Sequence, residues 1–466
     1  MGRNSDIISN NTTDNIRRFL EEGSCTMALS RELMENYTQI LKEELIPAMG
    51  CTEPIAIAYA AAVARKILGE DPVRVEVNCS GNMIKNVKGV TVPNSGGLKG
   101  IDAAALLGIV GGDPEKALEV IAKVTDAERA KTAEIVKKHI CDVSLVENVP
   151  NLYIQILLTG EHHTSEVVIS KRHTNLAVMK RDGKDCGNCQ EGEASHSLDQ
   201  AKEEKEDNER RKMTLMDLLE YADTVDLDDV REVLERQIAF NSAIAQEGLD
   251  NAWGAGVGKT IVEHWGGNVK ELACAMAAAG SDARMSGCPL PVVINSGSGN
   301  QGITVTMPVV VYAKEWHVSH DKMLRSLLVS NLVSIYIKHY IGALSAFCGA
   351  VSAACGAGAA VTYMSGGDYS HIGKTITNAL CNVGGIVCDG AKPSCAAKIA
   401  ASVHAALLGH YMSMGGRQFE AGEGLVEEDV EQTIKNMGYV GKVGMKGTDH
   451  EILNVMIDKV DVDSSL

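Results

Sequence analysis

Three cysteines late in the chain, Cys348, Cys388 and Cys395, have the residue type and spacing to hold a metal centre. Cys388 and Cys395 frame the Gly/Pro-containing segment Cys388-Asp-Gly-Ala-Lys-Pro-Ser-Cys395, and Cys348 lies upstream in Ser345-Ala-Phe-Cys348-Gly-Ala. In a reducing compartment such thiols stay free for soft metals, and thiolates are what hold iron–sulfur clusters. Three protein ligands on a four-iron cluster leave one iron open, and an open Lewis acid serves chemistry rather than electron storage. Spacing alone does not choose the three ligands, because Cys355 and Cys381 lie close by. A zinc site would use the same thiols.

Two further segments supply groups that such chemistry needs. Cys51 sits in Gly50-Cys51-Thr52-Glu53-Pro54, just before an Ala-rich helix that Thr52 can cap and whose first turn tolerates Pro54. The positive end of the helix dipole lowers a thiol pKa, so Cys51 is expected as a thiolate base. The loop Asn295-Ser-Gly-Ser-Gly-Asn-Gln-Gly302 separates an apolar segment from a helix expected near Ile303. Its small residues let backbone N–H groups converge on an anion, so Ser296, Gly297, Ser298, Gly299, Asn300 and Gln301 are expected to bind the carboxylate of an amino acid. A Lewis acid, a carboxylate nest and a thiolate fit elimination across a Cα–Cβ bond. The base takes the α-proton while the metal holds the β-leaving group.

Two look-alike motifs are set aside. Trp253-Gly-Ala-Gly-Val-Gly-Lys-Thr260 resembles a phosphate-binding loop, but Trp253 occupies the position that needs glycine, and a helix rather than a strand precedes it. Cys186-Gly-Asn-Cys189 has no second pair at zinc-finger spacing.

The elements that must position these residues read as an α+β protein: a small mixed α/β N-terminal domain and a mainly α-helical catalytic domain. A polar tail (1–30) precedes the small domain (31–180), which carries the Cys51 helix start. Val73–Cys79 alternates as a half-buried strand, and Leu152–Leu157 with Ser165–Ser170 reads as a hairpin. Residues 181–212 form a charged linker or insertion, and 213–466 the cluster-binding domain. The uncharged run Ile341–Gly367 is long enough to span a membrane, but its glycines mark it as a buried Ala/Gly helix.

Composition narrows the partners. The formal charge of −17 repels phosphate backbones, which argues against nucleic acid. The first thirty residues lack the apolar core of a signal peptide, so a cytoplasmic protein without membrane contact is expected. The expected partner is a small amino acid substrate; whether copies of the chain assemble into a homo-oligomer is left open.

Together Gly50-Cys-Thr-Glu-Pro54, Ser296-Gly-Ser-Gly-Asn-Gln-Gly302, Cys348-Gly-Ala-Val-Ser-Ala and Cys388-Asp-Gly-Ala-Lys-Pro-Ser-Cys-Ala-Ala-Lys398 resemble L-cysteine desulfidase, of the serine dehydratase alpha-chain-like iron–sulfur enzymes. The resemblance runs from about residue 35 to 455. It implies a [4Fe-4S] cluster on Cys348, Cys388 and Cys395, Cys51 as base, and no pyridoxal phosphate. The implied reaction converts L-cysteine to hydrogen sulfide, ammonia and pyruvate. An L-serine dehydratase with the same cluster is the nearest alternative, and a cluster- or metal-binding sensor without turnover is another. Cys51 stands where serine dehydratases have a Ser/His-containing segment, which favours the desulfidase. The tail Asp461-Val-Asp-Ser-Ser-Leu466 has no cysteine to cap an open iron, unlike some dehydratases.

Overall fold

The computed structural model of the chain describes residues 29–186, 210–342 and 344–465. Nearly all of the expected polar tail, most of the expected linker, and Cys189 lie outside them. Among the described residues there are eight strands: β1 (Pro47–Met49), β2 (Arg74–Ser80), β3 (Cys141–Val146), β4 (Tyr153–Thr159), β5 (Thr164–Ser170), β6 (Leu176–Arg181), β7 (Lys184–Asp185) and β8 (Pro291–Val293). The rest of the described residues are mainly helical, and the fold is α+β as expected.

Strands β2 to β7 form a mixed sheet in the order β3-β2-β4-β5-β6-β7, with only the β2–β3 pair parallel. Alternation decides which face is buried. Val75, Val77 and Cys79 of β2, Ile154, Ile156 and Leu158 of β4, and Val167 and Ile169 of β5 all point into one core. The helices Thr52–Leu68 and Gly100–Gly111 cover that face. Their alanines keep the layers close, and Ser165 Oγ donates to the Ala64 carbonyl at 2.9 Å, tying sheet to helix.

The second core is helical. Its centre is the Gly349–Met364 helix, whose residues from Ala350 onward are all buried, flanked by His320–Ile341, Tyr369–Val383 and Cys395–Met414. The uncharged run therefore splits: Ile341 ends one helix, a loop follows, and the Ala/Gly helix begins at Gly349. Among the described residues no helix is long and apolar enough to cross a membrane.

A buried amide network anchors β8 in this core. Asn241 Oδ1 accepts the Val293 N–H at 2.9 Å, and its Nδ2 donates to the Val293 carbonyl at 3.1 Å. Asn331 exchanges two amide bonds with Gln237, at 3.0 and 2.8 Å, and its Oδ1 accepts from Asn295 Nδ2 at 3.0 Å. Because buried amides are costly unless paired, this network fixes where the Asn295 loop leaves β8.

The two cores exchange segments. Tyr37, Ile40, Leu41, Leu45 and Ala48 join the helical core, although the expected boundary at 31 placed them with the small domain. Strand β1 pairs antiparallel with β8, Pro47 opposite Val293. In return, the late helix Lys446–Met456 inserts Leu453 into the core of the sheet domain. There Leu453 packs closely on Gly81: a Cβ on that glycine would lie 2.4 Å from Leu453 Cδ2, so the leucine would have to shift.

The phosphate-loop look-alike has an internal explanation. Its Gly258 N–H donates to the buried Asp282 carboxylate at 3.0 Å, and the Val257 and Ala255 amides add to it. The anion in this glycine-rich turn is the protein's own side chain. Burial pushes Asp282 up to about 6 while those amides pull the other way. Asp282→Ala leaves the amides without an acceptor and is expected to cost about 2–3 kcal/mol in urea unfolding. Asp282→Asn, which keeps one acceptor oxygen, should lose clearly less; equal losses would contradict this account.

Candidate active site

Gly50 has φ +62° and turns the chain from β1 into the Thr52–Leu68 helix, a backbone shape that L side chains rarely adopt. A Cβ there would also sit 1.9 Å from Pro93 Cγ. Cys51 follows at the helix start and is 3 % exposed. Its Sγ–H donates to Glu53 Oε2 at 3.0 Å. Burial and the Glu53 charge push the Cys51 thiol well up, and the opposing Arg284 charge does not reverse this. The thiolate expected at this helix start is thus corrected: Cys51 is a protonated thiol beside a carboxylate.

Glu53 is the hub of the site. Its Oε2 faces Cys51 and the Thr52 hydroxyl, the latter at 3.1 Å, while its Oε1 accepts from Asn86 Nδ2 at 3.2 Å. Burial raises its pKa, but His173, the Cys51 hydrogen bond and Arg284 outweigh that and hold Glu53 below its ordinary range. Arg284, itself 3 % exposed, donates from Nε to the Gly50 carbonyl and from Nη1 to Asn300 Oδ1, both at 3.0 Å. The motif Gly50–Pro54 hinted at Glu53. Arg284 and His173 carried no sequence signal beyond being charged or titratable residues in helix and hairpin.

The Asn295 loop reaches this hub. Thr52 Oγ1 donates to the Gly297 carbonyl at 3.2 Å. The loop is tighter than an open nest, with Ser296 and Gly297 both at positive φ. The Ser298 N–H is spent on the Asn295 carbonyl at 3.0 Å, and the Ser296 N–H on the Glu44 carboxylate. Of the six residues expected to bind a carboxylate, Ser296 and Ser298 thus have engaged amides, while Gly299, Asn300 and Gln301 form the first turn of the helix Gly299–Glu315, where amides have no partner within the helix. Gln301 reaches further: its Oε1 accepts from Ser352 Oγ at 3.4 Å, and a Cβ on Gly349 would lie 2.6 Å from its Cδ.

Gly349 is the neighbour of Cys348, so the same loop reaches the helix start that carries this thiol. Cys348 begins the Gly349–Met364 helix, and its N–H donates to the Ile386 carbonyl at 2.9 Å. The Cys388 N–H returns to the Ala346 carbonyl at 2.6 Å, clamping the two strands of chain together. The Cys348 thiol hydrogen-bonds Cys388, which with Lys85, the Gly390 amide and Lys338 holds Cys388 well below the ordinary thiol range; the same bond raises Cys348. Cys395 starts its own helix near Cys348 and Cys388, its Sγ 3.7 Å from the Gly390 carbonyl, and burial raises its thiol. Cys355 instead has Cys381 as its neighbouring thiol. Gly390, at φ +94°, brings this turn onto the sheet domain: a Cβ would sit 2.2 Å from the Lys85 carbonyl.

The donor set fits an iron–sulfur cluster. It consists of three soft thiols, one already stabilised as a thiolate, among the cations Lys85, Lys338 and Lys398. Among the described residues, no three or more His, Cys, Asp or Glu side chains gather as they would around a metal ion. Cluster thiolates bind separate irons and need not converge on one point.

With this geometry in place, comparison with known proteins is informative. The family model for the serine dehydratase alpha chain matches residues 115–454, and the chain belongs to that family. It is 49 % identical over 429 residues to a UPF0597 protein of Finegoldia magna, covering 91 % of this chain and 100 % of that one. A UPF0597 protein of Desulfitobacterium hafniense is 47 % identical over 91 % of this chain and 97 % of its own. One of Treponema denticola is 44 % identical over 92 % and 100 %.

The Cys51–Glu53 pair makes a direct prediction. Glu53→Gln removes the neighbouring charge, so the pH profile for methanethiosulfonate modification of Cys51, followed by peptide mass spectrometry, should move to lower pH. An unmoved profile would show that burial alone sets the thiol.

Proposed function

We propose that this protein is an iron–sulfur-dependent lyase that eliminates sulfur from L-cysteine without pyridoxal phosphate. The aminoacrylate left behind hydrolyses to pyruvate and ammonia. The observation that carries this reading is one loop, Asn295–Gly302, which touches both a buried thiol–carboxylate pair and the helix start at Cys348. When bound on Cys348, Cys388 and Cys395, a [4Fe-4S] cluster supplies a Lewis-acid iron for the departing sulfur.

The chain's own residues account for the remaining steps. Arg284 and the amides of Gly299, Asn300 and Gln301 receive the substrate carboxylate. Cys51 takes the α-proton as its own proton passes to Glu53, so the thiol ends protonated and the carboxyl neutral. The C–H electron pair becomes the Cα–Cβ double bond, and the C–S pair leaves with sulfur as hydrosulfide. Negative charge thereby moves from Glu53 toward the sulfur, on the side where Lys85 and Lys338 act on Cys388. The shared proton explains how a thiol raised by burial serves as base: its proton has an acceptor 3.0 Å away. Elimination of water from L-serine is the second reading, favoured by the description of the matching family.

Anaerobic reconstitution with iron and sulfide, followed by pyruvate and sulfide assays on both amino acids, tests the proposal. L-Cysteine should yield equal amounts of the two products; pyruvate from L-serine alone would select the second reading. Cys51→Ala should keep its iron and lose turnover by about 10²-fold or more, the usual worth of a positioned general base. Serine at Cys348, Cys388 or Cys395 should strip most of the iron. Full iron in Cys395→Ser would remove that residue from the ligand set.

A further inference from the structure

His173 has so far appeared only as a neighbour of Glu53. It lies in the turn between β5 and β6, where Lys171 takes a positive φ of 67° and the Arg172 N–H bonds back to the Ser170 carbonyl at 2.8 Å. This folding directs the ring into the interface between the two cores. Its Cε1 lies 3.9 Å from where a Cβ on Gly297 would begin. Its Nε2 is buried and has no hydrogen-bond partner among the described residues. Such an atom costs stability unless something fills the gap.

Glu53 does not fill it. Both Glu53 oxygens are engaged, one by Cys51, the other by Asn86. The carboxylate therefore contributes negative potential here, while the unused lone pair belongs to the imidazole. Burial favours the neutral ring, which can accept a hydrogen bond. At one end of the loop the Arg284 cation donates to Asn300, and at the other Gly297 accepts from Thr52, the residue next to the Glu53 carboxylate. That polarity matches a zwitterion, with its carboxylate toward Arg284 and its ammonium toward Glu53.

We propose that His173 Nε2 accepts a hydrogen bond from the α-ammonium group of the amino acid substrate, with Glu53 supplying the complementary charge. This rests on the lyase reading for the identity of the substrate. It makes His173 a binding residue contributed by the sheet domain, and it makes the amine, beyond the thiol and carboxylate, a requirement for entry.

The test compares L-cysteine with 3-mercaptopropanoate, the same molecule without its amine, on the reconstituted enzyme and on His173→Leu and His173→Gln. Calorimetric binding of both ligands is measured alongside KM and competitive inhibition. In His173→Leu the L-cysteine KM and Kd should rise about 10- to 100-fold, while 3-mercaptopropanoate changes by less than about threefold, as expected for loss of one charge-assisted hydrogen bond. His173→Gln, whose amide reaches the Nε2 position, should recover most of the loss. Equal weakening of both ligands would reduce His173 to a shaping role, and no weakening of either would remove it from the site; both results overturn the assignment. Protein that binds L-cysteine in this His173-dependent way yet releases no pyruvate keeps the assignment and sinks the elimination. Turnover of L-cysteine unaffected by His173→Leu does the reverse.

Discussion

A carboxylate taken out of water is tolerated only when hydrogen bonds and opposite charge replace its hydration, and Glu53 sets that requirement for this protein. Its partners come from distant parts of the chain: Cys51 and Thr52 beside it, Asn86 from the sheet domain, and Arg284 from the helical one. None of these can withdraw without leaving charge uncompensated. Glu53 thus joins the β1–β8 pair and Leu453 as a point where the two separately cored regions meet, and the candidate site lies there.

The thiols are positioned by the same logic from the other side. The Cys388 turn rests on the Lys85 backbone, and the Lys85 ammonium pairs with Asp449 while its field acts on Cys388. A sheet-domain lysine therefore stabilises a thiolate of the helical domain, and the late helix that carries Asp449 fixes that lysine. Stability and the chemistry of the site draw on common contacts here.

Much of the fold was legible because period-two alternation and alanine-rich helical runs are local signals: the hairpin of β4 and β5 and the helix after Cys51 followed from them. The thiol candidates were legible by type. Their proximity was not, since it depends on backbone pairing between Phe347 and Val387, far apart in sequence. The ionisation of Cys51 was misread because a helix start argues for thiolate, whereas the direction of the Glu53 side chain, set by tertiary packing, argues against it. The Ser296 and Ser298 amides looked free for the same reason; Glu44 and Asn295 claim them only in the folded chain. His173 lies in a turn with no recognisable pattern, and nothing short of the assembled interface points to it.

Leu453 and Asp449 close the sheet domain from a helix that the ribosome makes after Cys51, Glu53, His173, Arg284 and all three candidate ligands have been synthesised. Until that helix docks, Lys85 lacks its carboxylate partner and the sheet core lacks its last apolar side chain. A nascent chain therefore presents its complete set of thiols while one wall of their chamber is still missing. A metal centre held on those thiols would meet an open approach before that helix docks and a closed one after it.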